Sequence, residues 1–487
     1  MGLQYVVVAG GFGGSVGFGG ATLTSAGSGT SGIGRRFRYC APDMLMILLL
    51  AALAQAPASV APPPGPKEAP DAGTPAVVPP LPVATLPPAT HELFNRLKGR
   101  VVQVRIIERR SGTKSSIGSA FFVSAEGHAI TNFHVVSSIV QHPEDYTAEL
   151  VRDGNDSSAV PVRLVDVDVV HDLAVIQQTG PVKDWFELAV KEPPQGTRLY
   201  AMGNPHDLGT TIVEGTYNGL VQDALYDKVH FSGAINPGMS GGPTVTGEGK
   251  VVGVNVATLG NQLGFLVPVV HASELLERAR EVKESSPTAL LAVVGRQLLD
   301  NQQRITERLL AEPVPTQPLG DYLVPGRWLP FLKCWGDTPH NPENPYTVTS
   351  YQCSSEEDIY LSSDHRTGVV TYDHAYVASE QLGALRFSAL YSATFGNDEG
   401  GVEATKEDVT NFRCKEEFVK VGGIPVRAAL CLRAYKKFPG LYDLALRAAT
   451  VNASTSGVQT SLDLAGFSAD NARAIARRYL EALAWTK

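Results

Sequence analysis

The period with which apolar and polar positions alternate changes along the chain, and those changes divide it. Between about residues 91 and 275, short β-branched runs recur, separated by Gly, Asn and Asp. They include VVQVRII (101–107), SAFFVS (119–124), AVPVRLVDV (159–167), LAVIQ (173–177), KVVGVNVA (250–257) and GFLVPVV (264–270). Many short strands at modest spacing predict an all-β barrel or sandwich. From 271 to 311 the period lengthens. ASELLERAREVKES (272–285) and TALLAVVGRQLLDNQQRITERLLAE (288–312) carry apolar residues at three- and four-residue intervals, which predicts two helices. The first is expected to cap the strand-rich domain, and the second to pack between domains or bridge them. Pro313, Pro315 and Pro318 stop the helical pattern. From about 321 the runs GVVTYDHAYVAS (368–379), LGALRFSALYSATF (382–395) and RAALCLRAY (427–435) read as strands. They lead to a terminal helix, SADNARAIARRYLEALAW (468–485), so this part reads as a separate α+β unit.

The start of the chain has a different character. Residues 1–43 are glycine-rich, as in GGFGGSVGFGG, and lack the apolar surface to offset ordering. Residues 44–54 read MLMILLLAALA, with Arg35, Arg36 and Arg38 before them and the small residues Ala54, Ala56 and Ala58 after. Basic, apolar, then small is the order of a secretory signal, whose core and cleavage region span 44–58. The run is short of the ~20 residues a bilayer span requires, so no stable membrane span is expected after its removal. Met44 or Met46 is an alternative start that would make 1–43 an extension. Residues 59–90, including PPPGPKEAPDAGTPAVVPPLPVATLPP (62–88), form a Pro-rich linker that should be extended and semi-rigid.

Composition narrows the compartment and the partners. The net charge of −8 and the absence of long like-charge blocks give no reason to expect a nucleic-acid partner. Of five cysteines, Cys40 precedes the apolar run, while Cys334, Cys353, Cys414 and Cys431 all lie in the C-terminal third. Four cysteines in an exported unit predict two disulfides, with three pairings open. No two stand as C-x-x-C, which argues against zinc, so no metal is expected. The signal and the cysteines together predict an exported protein, periplasmic or extracellular.

Three segments carry chemistry: TNFHVV (131–136), HDLAVIQ (171–177) and NPGMSGGP (236–243). A serine hydroxyl is a weak nucleophile at neutral pH and needs a base to take its proton. His134 can serve, because an imidazole titrates near operating pH. Asp172 would fix its tautomer and stabilise the imidazolium. Ser240 is the nucleophile, and the glycines around it allow a tight turn that aims the Gly238 and Ser240 amides at an oxyanion. The order His, Asp, Ser is that of the chymotrypsin arrangement, whereas subtilisins and α/β-hydrolases run in other orders. Asp166 and Asp168 are rival acids, and His128 and His171 read as structural. Asn204 and Pro205 read as shaping a loop.

The segment resembles the protease domain of the HtrA (DegP-like) serine proteases. The resemblance rests on GSAFFVSAEGHAITNFHVV (118–136), DLAVIQ (172–177), AMGNPHDLGTTIVEGTYNG (201–219), INPGMSGGPTV (235–245), VVGVNVA (251–257) and GFLVPV (264–269), and covers roughly 95–275. It implies a chymotrypsin-like double β-barrel over 91–275 with the site between the barrels, followed by a helical linker (276–320) and the α+β domain (321–487). It implies a serine endopeptidase acting on protein or peptide substrates, including unfolded ones, with no cofactor. Trimers are common in the family, so an oligomer is open to this chain. The chain departs from the family in three ways. Met239 stands where Asn usually precedes the nucleophile, Phe133 stands where the family has Asn before its histidine, and no PDZ-like sequence follows the barrels. Ala234, six residues before Ser240, then Ile235, put no acid at the base of the P1 pocket. With Asn255, Val256 and Ala257 as further lining, small or medium aliphatic P1 residues are expected. The competing expectation is a weakly active or inactive binding protein on a protease-like scaffold.

Overall fold

The computed structural model describes residues 90–486 apart from 153–155, 259–262, 284, 396–401 and 452–453. The glycine-rich segment, the signal and nearly all of the Pro-rich linker therefore lie outside the described residues. A short helix, α1 (Thr90–Leu97), leads into β1 (Val101–Glu108), β2 (Thr113–Phe122), β3 (His128–Thr131), α2 (Phe133–Gln141), β4 (Tyr146–Val151), β5 (Val160–Asp168) and β6 (Leu173–Gln178). These six strands close into an antiparallel barrel in the order β1-β2-β3-β6-β5-β4. A second closed barrel holds β7 (Arg198–Gly203), β8 (Thr211–Leu220), β9 (Val229–Phe231), β10 (Pro243–Val245), β11 (Val251–Thr258) and β12 (Gly264–Pro268), ordered β10-β11-β12-β9-β8-β7. The double barrel is the chymotrypsin-like architecture that the short-strand pattern and the resemblance implied.

The barrels are joined through a shared core. Phe121, Ile130 and Val175 of the first barrel pack with Tyr200, Met202 and Val254 of the second. Helix α3 (Val269–Glu281) adds Ala272, Leu275, Leu276 and Ala279 to that core. Helix α3 is therefore part of the seam, and the domain end expected at 275 falls inside it. Helix α4 (Pro287–Ala311) begins at an N-cap, Ser286, whose hydroxyl accepts the Ala289 N–H at 3.2 Å, with Pro287 in the first turn. Its first half buries Leu290, Val294 and Leu298 against the first barrel. Its second half buries Ile305 and Leu309 in the core of the C-terminal part.

That C-terminal part contains β13 (Thr316–Leu319), β14 (Tyr322–Pro325), β15 (Lys333–Asp337), β16 (Thr347–Ser354), β17 (Ile359–Ser362), β18 (His365–Thr367), β19 (Val370–Ala378), α5 (Ala384–Thr394), β20 (Arg413–Val421), β21 (Ile424–Ala434), β22 (Tyr442–Thr450), β23 (Ser456–Phe467), α6 (Ala469–Glu481) and β24 (Ala484–Trp485). Seven strands make one antiparallel sheet, β15-β16-β19-β23-β22-β21-β20. Helix α6 covers one face with Ala472, Ile475, Ala476 and Tyr479. Both outermost strands are tied to their neighbours by disulfides between directly opposed residues, Cys334–Cys353 and Cys414–Cys431. Of the three pairings open to the four cysteines, this is the one that staples each sheet edge.

Two expectations change here. LGALRFSALYSATF is a helix over 384–394, not a strand. Leu385, Phe387 and Tyr391 mimic strand alternation, but Leu385 is 89% exposed while Phe387 and Tyr391, four apart, are buried. A helix satisfies that one stripe; a strand would have buried Leu385 as well. The α+β unit is also not separate. Ile359, Leu361, Tyr435, Phe438 and Leu441 share a core with Val136, Val140 and Val294 of α2 and α4. Among the described residues no helix is long and apolar enough to cross a membrane.

Candidate active site

His134 is the second residue of α2, directly after β3, and Asp172 lies in the turn between β5 and β6. The Asp172 backbone has φ +55°, a left-handed conformation uncommon outside glycine. In that conformation the residue reaches α2 in several ways. Its Oδ2 lies 2.6 Å from His134 Nδ1, and its Oδ1 accepts the His134 backbone N–H at 2.8 Å. Its carbonyl accepts the Phe133 N–H at 3.1 Å and Asn132 Nδ2 at 2.8 Å. Asp172 thus satisfies two N–H groups that the first turn of a helix leaves without partners, and places a negative charge where the helix dipole favours it. With a carboxylate on Nδ1, that nitrogen holds the proton and Nε2 is left as the acceptor.

The rival acids are engaged elsewhere. Asp166 pairs with Arg278 of α3 at 3.1 Å. Asp168 accepts His171 Nδ1 at 2.8 Å. Burial opposes ionisation of Asp168, but the hydrogen bonds and charge of His171, helped by Arg278, hold its carboxyl below the ordinary carboxylate value. His171 in turn stacks on His271 of α3, with ring centroids 3.6 Å apart. Burial and the neighbouring His171 depress the His271 imidazole. His128 is buried, with Nδ1 2.9 Å from Ser124 Oγ.

Ser240 sits on the loop between β9 and β10 in the second barrel. The Met239 N–H returns to the Asn236 carbonyl at 2.9 Å, and Gly238 takes φ +94°. A Cβ at Gly238 would lie 2.5 Å from the Asn204 carbonyl, so only glycine fits. The Pro237 carbonyl accepts His206 N–H at 3.1 Å, and the Gly238 carbonyl accepts Ser119 Oγ at 2.7 Å. Among the described residues the N–H groups of Gly238 and Ser240 find no acceptor. Two unpaired donors on one tight turn are what a developing oxyanion requires.

The seam brings this loop against the first barrel. Ser119 of β2 donates its N–H to the Ser240 carbonyl at 2.8 Å, and its hydroxyl also accepts the Asn204 N–H. Gly241 passes so close that a Cβ there would lie 2.4 Å from Thr131 Oγ1 and 2.9 Å from the Asn132 nitrogen, two residues before His134. The Ser240 hydroxyl donates to the Val256 carbonyl at 3.3 Å. Among the described residues no hydrogen bond joins Ser240 to His134.

The expected pocket residues divide. Ala234 and Val256 are half-buried. Ile235 is buried with Phe231, Met239 and Leu266 in the second-barrel core. Asn255 is a correction: it is fully buried, donating Nδ2 to the Met202 carbonyl at 2.9 Å and the Met239 carbonyl at 3.2 Å, while its Oδ1 accepts Thr244 Oγ1 at 2.6 Å. Its side chain braces the Ser240 loop from within the core and is not exposed to a pocket. The Ala257 side chain lies outside the described residues. Asn204 shapes its loop as expected, with Oδ1 accepting the Gly209 N–H at 2.9 Å.

Two residues escaped the sequence reading. Ser119 is a fully buried polar residue, but β2 carries several other Ser and Thr residues, so the sequence did not single it out. Tyr360, whose ring lies 5.8 Å from that of His134, comes from β17 and carried no sequence signal.

Residues 118–254 match the trypsin-like peptidase domain family. The matched segment runs from β2 to β11 and so crosses both barrels. Relatives with similar sequences carry DegP-like and Hho names. The chain is 32% identical over 182 residues to a probable periplasmic serine endoprotease, DegP-like, of Bartonella henselae, covering 34% of each protein. It is 29% identical over 202 residues to the putative serine protease HhoB of Synechocystis, covering 39% of this chain and 46% of that one. A serine endoprotease of known structure from Yersinia pestis is 24% identical, with a TM-score of 0.34 over 40% of this chain and 67% of that one. The chain spans about a third of the length of the DegP-like relatives from Bartonella henselae and Brucella suis.

Proposed function

We propose that the protein is an exported serine endopeptidase that hydrolyses peptide bonds in protein substrates through an acyl-enzyme intermediate. The observation that carries this reading is the Asp172–His134 pair, bonded through both the imidazole and the backbone of the same residue. In the proposed reaction the Ser240 hydroxyl leaves the Val256 carbonyl and turns to Nε2 of His134. As Oγ attacks the scissile carbonyl carbon, its proton passes to Nε2, and the imidazolium is stabilised by Asp172. The carbonyl oxygen becomes an oxyanion held by the Gly238 and Ser240 amides. Collapse breaks the C–N bond, and His134 returns the proton to the departing amine. Water, deprotonated by His134, then attacks the acyl carbon and releases Ser240.

The half-buried Ala234 and the lack of an acidic side chain at 234 and 235 support a preference for Val, Ala or Leu at P1. Export is supported by the apolar run at 44–54 and by two disulfides, and relatives carry the word periplasmic in their names. The test is unfolded casein incubated with the mature chain and with Ser240→Ala. Cleavage that disappears in the variant supports the reading. A folded chain that leaves casein and Val-P1 peptides intact contradicts it and favours a binding protein on a protease scaffold. An Arg-P1 peptide cut faster than a Val-P1 peptide contradicts the specificity.

A further inference from the structure

One segment of the C-terminal part reaches the chemistry. Residues 355–367, between β16 and β19, form a strap that touches both barrels. At one foot, Glu357 grips the turn between β8 and β9 of the second barrel. Its carboxylate accepts the N–H groups of Leu225 and Tyr226 and pairs with Lys228. The Tyr226 hydroxyl, buried in the same turn, accepts Asn301 Nδ2 of α4 at 2.9 Å.

Three residues on, the β17–β18 hairpin lies on α2 of the first barrel. Ile359 and Leu361 are buried in the core that holds Val136 and Val140, and Gln141 Nε2 donates to the Leu361 carbonyl at 3.4 Å. Tyr360, between them, meets His134 at an interplanar angle of 64°. The Arg366 guanidinium lies 4.3 Å from the Tyr360 ring centroid and is held by Asp358 at 3.2 Å. The aromatic ring is therefore held from the Arg366 side while it abuts the imidazole.

We propose that Tyr360 is a positioning residue for His134, so that the C-terminal part completes the catalytic centre rather than accompanying it. The inference rests on the protease reading above. Asp172 fixes the imidazole only along its Nδ1 edge, which leaves the ring free to tip about that contact. Tyr360 closes one flank, limits the tipping and keeps water off the Asp172–His134 hydrogen bond. Glu357 anchors the same strap to the barrel that carries Ser240. The strap thereby holds the base and the nucleophile at a fixed separation.

The test uses the full mature chain with Tyr360→Leu, which keeps an apolar side chain of moderate size, and Tyr360→Phe, which keeps the ring. The rate of labelling by a fluorophosphonate, kcat and KM on a Val-P1 peptide, and the denaturant midpoint are measured for each. Tyr360→Leu is expected to lower the labelling rate and kcat about tenfold with KM nearly unchanged, within the range that small misplacements of a catalytic group cost. Tyr360→Phe should restore both while unfolding at the same midpoint as Tyr360→Leu. Wild-type labelling in Tyr360→Leu overturns the inference, as does a loss in Tyr360→Phe equal to that in Tyr360→Leu. A wild-type chain that does not label at all, in a folded sample, instead overturns the protease reading, and this inference falls with it.

Discussion

Asp172 holds His134 by both its imidazole and its backbone: Oδ2 lies 2.6 Å from Nδ1, and Oδ1 accepts the His134 N–H at 2.8 Å. The imidazole and the helix start are thus fixed by one carboxylate. Asp172→Asn can keep the backbone bond through its amide oxygen while presenting a donor to Nδ1. The imidazole must then carry its proton on Nε2, where it cannot accept from serine. The expected result is a fall in kcat of about 10⁴-fold with little change in the unfolding midpoint. Steady-state kinetics beside a denaturant titration checks it, and activity within tenfold of wild type would contradict it.

Gly238 is a tightly constrained position of the turn that carries Ser240. Its φ of +94° disfavours any side chain, and a Cβ would meet the Asn204 carbonyl at 2.5 Å. Gly238→Ala must displace the turn that carries one of the two free amides. A loss of about 10²- to 10³-fold in kcat is expected, the cost of one misplaced oxyanion donor. Tight binding of a boronic acid inhibitor retained in the variant would show that the hole survives.

Met239 explains why this chain departs from the Asn usual before the nucleophile. Its side chain is fully buried among Phe231, Ile235 and Leu266. Met239→Asn would put an amide in that apolar cluster at a cost of about 1–3 kcal/mol. Chemical denaturation measures it; an unchanged or higher midpoint would contradict the packing account.

Acid should destabilise the fold through buried neutral histidines. Burial pushes the His365 imidazole down to about 4, with Asp408 opposing and Arg433 and Lys437 reinforcing. Burial likewise takes His374 to about 3, against the hydrogen bond to the Pro325 carbonyl. Both side chains titrate near 6.5 when unfolded, so below that pH the unfolded chain binds more protons than the native one. Their contribution is complete above 6.5 and is lost as the pH falls from 6.5 toward 4 and below. A urea midpoint lower at pH 4.5 than at pH 7.5 is expected, with a shallower decline in His365→Gln. Equal midpoints at the two pH values would contradict it.

Much of the catalytic half was legible because its chemistry is carried by short contiguous stretches. TNFHVV, HDLAVIQ and NPGMSGGP each hold one chemical group together with the local backbone that aims it. The barrel strands were legible because β-branched runs report strand burial directly. The helix at 384–394 was not, since Leu385, Phe387 and Tyr391 fit two periods and only tertiary burial chooses between them. Asn255 was misplaced for a related reason: adjacency to pocket residues in sequence does not reveal which way a strand side chain points. Nothing in the local sequence could report that the C-terminal part shares a core with α2, or that Tyr360 meets His134. Those contacts join segments more than two hundred residues apart, and their apolar residues look the same whether they pack within a domain or between two.

In the proposed reaction Ser240 is a nucleophile activated across the barrel seam. The most direct measurement is intact mass and peptide mapping of the folded mature chain after treatment with a fluorophosphonate. One adduct is expected, located on Ser240, and absent from both Ser240→Ala and His134→Ala. An unlabelled chain, or an adduct on any other residue, would contradict it.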